Sequence, residues 1–131
     1  MKNKYLLDTN IVIYFFNKIT DDESLVEILR SSFNISIITK IEFLSWKKLF
    51  NDEELHRKAI EFISNATVYD LDEVVANQTI ANRQQHKIKT PDAIIGATAQ
   101  VHGFEIVTNN VDDFKNLDLK ITTIRLKKDV K

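Results

Sequence analysis

Short apolar runs alternate along this chain with longer stretches whose apolar residues recur at helical spacing, and that alternation constrains the fold more than any other feature. Lys4 to Leu7 is an extended run stopped by Asp8, Thr9 and Asn10, and Ile11 to Phe16 is apolar on every side, so a buried strand feeds a buried helix. Leu25, Ile28 and Leu29 mark a helix over 22–32, after which Phe33 to Ile38 alternates like a strand. Thr39 and Glu42 carry the S/T-x-x-E signature of a helix start, and Phe43, Trp46, Leu49 and Phe50 continue its apolar stripe. A further amphipathic helix over 52–64 runs through Leu55, Ala59, Phe62 and Ile63. Ala66 to Tyr69 reads as a strand and Leu71 to His86 as a long helix through Val74, Val75, Gln78 and Ala81. Thr90, Pro91 and Asp92 supply an N-cap, a proline at the first helical position and a first-turn acid. The helix Ala93 to Val101 follows, with Ile94, Ala97 and Val101 inward, then a strand at Glu105 to Val107, a short helix over 110–116 and a last strand at Leu119 to Ile124.

Strands separated by helices throughout predict an α/β fold with a parallel sheet covered on both faces. Two Gly and one Pro in 131 residues leave little loop punctuation, and no linker or repeat interrupts the pattern, so a single domain over 1–131 is expected. The 44% of hydrophobic residues suffices for its core.

Composition narrows the chemistry. No cysteine is present, which excludes disulfides, thiolate zinc sites and a Cys nucleophile, and His56, His86 and His102 are too scattered for a histidine metal site. The 18 Lys and Arg nearly cancel 19 Asp and Glu, so bulk charge offers nucleic acid no attraction and a local basic patch would have to hold it. Met1 to Tyr5 is polar and basic, and the apolar stretch after it is broken within a few residues. That resembles neither a signal peptide nor a membrane span, and a cytoplasmic address is expected.

In an open parallel sheet, sites form where strands end and helices begin. Asp8, Glu42, Asp92 and Asp113, with Asp112 beside it, all fall at such places. Each acid has an ordinary structural use as a cap or a first-turn acid. Several of them converging on one sheet edge would repel one another, and a divalent cation would offset that repulsion. Ligands that are all oxygen point to a hard ion, Mg²⁺ or Mn²⁺.

Leu6 to Asn10, Thr39 to Glu42, Thr90 to Ala99 and Val107 to Phe114 resemble, in order and spacing, the successive motifs of PIN-domain ribonucleases, specifically the VapC-like toxins of type II toxin–antitoxin systems. The resemblance spans essentially the whole chain. It implies a PIN-like three-layer α/β fold, with a central parallel sheet of about five strands flanked by helices. It also implies a Mg²⁺- or Mn²⁺-dependent endoribonuclease with catalytic, metal-binding Asp8, Glu42, Asp92 and Asp113. Thr108 and Asn110 would be polar neighbours of that site, and Asp112 is the rival for the fourth acid. Arg83, Lys87 and Lys89 are the candidates for RNA backbone contacts, with Lys47 and Lys48 a weaker second patch. The implied partners are RNA, a cognate antitoxin and a second copy of the chain, in a homodimer or a hetero-oligomer. Tyr14, Phe15 and Trp46 are the expected antitoxin-binding side chains, because three consecutive rings cannot share one face of a helix that advances about 100° per residue.

Other classes fit less well. A phosphoacceptor receiver domain needs a mid-sheet Asp at its third strand end and a Lys after its fifth strand; here Asp70 follows the third strand, but no Lys comes directly after Val107. A haloacid-dehalogenase-like phosphatase needs a second Asp two residues after its nucleophile, where this chain has Asn10. A catalytically inactive PIN-like module that binds RNA or protein remains the alternative.

Overall fold

The computed structural model describes residues 4–127; the polar start assigned to Met1, Lys2 and Asn3 lies outside them. Five strands, β1 (Tyr5–Leu7), β2 (Asn34–Ser36), β3 (Thr67–Tyr69), β4 (Glu105–Val107) and β5 (Ile121–Thr122), form one sheet in the order β3-β2-β1-β4-β5, every pair parallel. The helices are α1 (Thr9–Phe16), α2 (Glu23–Ser31), α3 (Ile37–Leu44), α4 (Glu53–Ile63), α5 (Glu73–Gln85), α6 (Thr90–His102) and α7 (Val111–Phe114). None of the described helices is long and apolar enough to cross a membrane.

Successive residues of β1 point to opposite faces of the sheet, and each face carries its own core. Leu7 packs with Ile35 of β2 and with Ile11, Val12, Leu25 and Phe43 from the first helices, whereas Leu6 packs with Ile95, Ala99, Ile106 and Phe114 on the α6 side. The result is the expected three layers. Residues Ala93 to Ala99 of α6 are all buried, as a helix covering the centre of a parallel sheet must be.

The strands are short because polar residues at their ends turn the chain directly into helices. Asp8 caps α1, its carboxylate accepting from the Thr9 N–H, and the Ser36 hydroxyl caps α3, accepting from the Ile38 N–H at 3.0 Å. The cap expected at Thr39 is therefore at Ser36; Thr39 lies inside α3, fully buried. This also cuts the strand expected over Phe33 to Ile38 to Asn34–Ser36. Ser36→Ala should lower the stability measured by chemical denaturation by about 1 kcal/mol, the usual cost of a lost cap.

Other local expectations shift for identifiable reasons. The stripe through Trp46 is not one helix: α3 ends at Leu44, and Trp46 opens a 3-10 turn at Lys47–Leu49, leaving Phe43 and Leu49 buried but Phe50 59% exposed. Lys89, by its backbone alone, caps α6, so Thr90 is the first helical residue and Pro91 the second, still within the turn where a missing N–H costs nothing. The first helix is buried on one side only, at Ile11 and Val12; Ile13 to Phe16 are half-buried. In α5 the inward residues are Val75, Thr79 and Asn82, and Val74 is 59% exposed. Thr79 and Asn82 can face α6 because the first bonds the Val75 carbonyl and the second donates to Gln100 Oε1 at 2.9 Å.

Candidate active site

The strand order reverses between β1 and β4, and the crevice beyond the carboxyl ends of such a pair is where open α/β sheets place their sites. Asp8 ends β1 there. Its N–H donates to the Val107 carbonyl at 3.0 Å, Oδ1 accepts from the Thr9 N–H at 2.8 Å, and Oδ2 accepts from Thr108 Oγ1 at 2.8 Å. Thr108, fully buried after β4, is itself fixed: its N–H reaches the Thr122 carbonyl at 2.9 Å and its hydroxyl accepts from the Asn110 N–H at 2.9 Å. Asn110 thus contributes through its backbone, and its side chain is exposed.

From the neighbouring helix, Glu42 is held by Thr9, whose hydroxyl donates to Oε1 at 2.6 Å and sits 3.1 Å from the Thr39 hydroxyl. Sequence reasoning missed this pair of threonines as a clamp. The only local signal was the polar triplet that contains Thr9, and the contact to Glu42 spans 33 residues.

Electrostatics join the acids into one cluster. Burial, to 4% exposure, pushes the Asp8 carboxyl up to about 6; the bonds from Thr108 and Thr9 oppose that, and the Asp92 and Glu42 charges add to it. Asp92 is half-buried in the first turn of α6. Burial raises its pKa first, then the charges of Asp113 and Glu42, against Lys89. Asp112 is absent from these couplings, and its carboxylate pairs with Lys115 Nζ at 3.2 Å in an exposed contact. The charge coupling to Asp92 thus favours Asp113 over Asp112 as the fourth member of the cluster, although both line the same cleft.

Among the described residues no three of these acids form a ready-made cage, although the charges of Asp92 and Glu42 act on Asp8 and those of Asp113 and Glu42 on Asp92. A hard cation fits this donor set: all the candidate ligands are oxygens, and added positive charge would offset the burial and, after it, the carboxylate repulsion that raise Asp8 and Asp92. Asn10, two residues from Asp8, adds an unused group, since both polar atoms of its side chain are shielded and have no partner among the described residues.

The expected RNA contacts lie close by. Arg83, Lys87 and Lys89 line, with His86, Asp112 and Asp113, a cleft of about 510 Å³. Arg83 also braces its edge, Nε donating to the Ile88 carbonyl at 3.1 Å. The second patch is weaker still, because Lys48 bonds Asn17 Oδ1 and lies 5.7 Å over the Trp46 ring.

The three expected antitoxin-binding side chains do not share one surface. Phe15 stacks on Phe62 at 5.6 Å and lines a largely apolar groove of about 430 Å³ with Val26, Leu29, Phe33 and Phe62, bordered by Arg30 and Asn65. Trp46 packs instead on Phe43, with ring centroids 6.3 Å apart, and Tyr14 is half-buried against the core; neither lines the groove. The rings distribute this way because α1 presents a new face with each residue, and Phe16 turns inward onto Phe43.

A parallel α/β sheet with coupled carboxylates at its switch point defines a class of fold and site, and the comparisons name it. The PIN domain family model matches residues 5–120, and the chain belongs to that family. It is 34% identical over 103 residues to Ribonuclease VapC1 of Rickettsia felis, covering 71% of this chain and 77% of the relative. Two solved structures share the fold closely. A toxin–antitoxin complex from Klebsiella pneumoniae matches with a TM-score of 0.76 at 29% identity, over 95% of this chain and 100% of that one. DNA-bound VapBC from Salmonella typhimurium matches with a TM-score of 0.78 at 26% identity, over 92% of this chain and 97% of that one.

Proposed function

We propose that this chain is a divalent-metal-dependent endoribonuclease, a VapC-like toxin that hydrolyses RNA phosphodiester bonds and is neutralised by a cognate antitoxin. The observation that carries this reading is the gathering of acids beyond the end of the central strand, where the charges of Asp92 and Glu42 bear on the buried Asp8 and those of Asp113 and Glu42 bear on Asp92. Asp8 and Asp92 are the residues to hold Mg²⁺ or Mn²⁺, with Glu42 and Asp113 assisting directly or through water. Such an ion supplies Lewis acidity and neutralises charge at the phosphate.

The protein's own groups do the rest. Thr108 and the Thr9 N–H fix the two Asp8 oxygens, and the Thr9 hydroxyl fixes Glu42, so these carboxylates need no reorganisation as charge develops. As a water oxygen bonds to phosphorus and the opposite P–O bond breaks, a carboxylate of the cluster would take the water's proton. Lys87 and Lys89 line the adjoining cleft, where they hold the flanking backbone phosphates.

Two features support the antitoxin. The Klebsiella pneumoniae and Salmonella typhimurium neighbours are toxin–antitoxin and VapBC assemblies, and the Phe15 groove is an apolar surface of the kind that receives a partner segment. We assign that groove to the antitoxin, with part of it or a neighbouring helix serving a homodimer.

The assay is cleavage of single-stranded RNA by the purified protein with Mg²⁺ or Mn²⁺, with and without a chelator. Asp113→Asn should slow the reaction about 100-fold, while Asp112→Asn stays within about twofold of the parent, because only the former removes charge from the cluster. RNA binding without cleavage would instead describe the inactive module.

A further inference from the structure

The cleft beside Asp113 continues. His86 lines both it and a second pocket of about 430 Å³, bounded by the carboxamides of Gln78, Asn82, Gln85, Gln100 and Asn116, with Leu117 and the carboxylate of Asp118 at its edge. That lining is unusual for this chain. The exposed face of α4 carries Glu53, Glu54, Arg57, Lys58 and Glu61, an ordinary charged surface. Helix α5 has only Glu73 and Arg83 as charged residues, and the side it turns to the pocket is amide.

The amides are also ordered. Gln78 Nε2 donates to Asn82 Oδ1 at 3.0 Å, and Asn82 Nδ2 donates to Gln100 Oε1 at 2.9 Å. Asn82, 4% exposed, is the fixed middle of this chain. Its direction leaves an acceptor, Gln78 Oε1, at one end and a donor, Gln100 Nε2, at the other. Gln85 and Asn116 are exposed and make no side-chain hydrogen bond among the described residues. A pocket lined mainly by amides, with Asp118 its one acidic lining residue, presents paired donors and acceptors that suit the edge of an unpaired base, which carries both kinds of group side by side. The imidazole of His86, at the junction, offers a flat ring on which such a base can stack.

We propose that this pocket is a base-recognition subsite, holding one unpaired nucleobase of the RNA strand whose backbone crosses the Lys87–Lys89 cleft, with adenine as the best match. The N6–H and N7 of adenine complement one carboxamide in a bidentate pair. The proposal deepens the ribonuclease reading and rests on it: phosphates are held by the cations without regard to sequence, and the amides supply the sequence preference.

The test is binding of fluorescent oligoadenylate and oligouridylate to the full chain in an Asp92→Asn background, compared with the same protein also carrying Gln85→Ala and Asn116→Ala. The parent should favour oligoadenylate about tenfold, and the amide variant should lose that preference while its affinity for oligouridylate holds. Both amides are exposed, so melting temperature should stay near the parent's. A preference that survives the substitutions, its absence in the parent, or no RNA binding at all overturns the subsite. So does a change in sedimentation in place of a change in preference, which would assign the pocket to a contact between protein copies. Cleavage by the wild-type chain reports separately on the ribonuclease reading. Amide-dependent preference without cleavage would sink the nuclease and keep the subsite, and cleavage with unaltered preference would do the reverse.

Discussion

Asp8→Asn is expected to reduce RNA cleavage about 1,000-fold or more and, in ion-free buffer at pH 7, to make the protein more stable. The first effect follows from position, because Asp8 ends the central strand and its carboxylate is fixed on both oxygens. The second follows from its pKa. Burial first, and then the Asp92 and Glu42 charges, raise the folded value from 3.8 to about 6, so the folded state holds the Asp8 proton more tightly than the unfolded state does. Stability therefore falls as pH rises through that window, and the loss is complete above about 6, at about 3 kcal/mol for Asp8 alone. Asn keeps an acceptor for the Thr9 N–H and carries no charge. Denaturant titrations from pH 4 to pH 7 should show a fall in wild-type stability that is largely absent in Asp8→Asn. An equal fall in both proteins would mean that Asp8 is not the titrating group.

A second large effect is expected from divalent cations. An ion that binds only the folded state adds about 2.7 kcal/mol at 100 times its dissociation constant, which for a domain of this size raises Tm by roughly 10 °C. Mg²⁺ and Mn²⁺ should both do this at pH 7.5. The shift should shrink below about pH 6 as Asp8 takes up a proton, and it should be small in Asp92→Asn. A wild-type Tm that ignores these ions at saturating concentration would remove the metal from the account.

The places of the acids were legible because polar residues directly after apolar strands have few roles in a parallel sheet. Asp8 and Asp92 fall where the strand and helix starts put them. Glu42 comes to lie beside Thr9, next to Asp8, but not for the reason its motif suggested. Its motif suggested a capping box, but Ser36 is the cap, and Thr9 holds Glu42 across the sheet edge. No local pattern encodes that contact. Likewise nothing in the sequence separates Asp112 from Asp113. They are adjacent on a four-residue helix, too short for periodicity to define a face, and only the fold turns one towards Asp92 and the other to Lys115. The inward face of α5 was misread because amide and hydroxyl hydrogen bonds, not apolar spacing, join it to α6. Tyr14, Phe15 and Trp46 looked alike as surplus rings, yet only Phe15 reaches the groove.

The most direct test of the central claim is a time course of single-stranded RNA cleavage with Mn²⁺, run side by side for the wild type and Asp92→Asn. Circular dichroism and melting curves on the same samples check the fold. Asp92 couples Asp113 and Glu42 to the Asp8 end of the crevice, so its charge tests the whole cluster at once. The account predicts cleavage by the wild type that a chelator stops, and no detectable cleavage by a folded Asp92→Asn protein. Cleavage by that variant at the wild-type rate would contradict it, leaving Asp92 as nothing more than a first-turn acid.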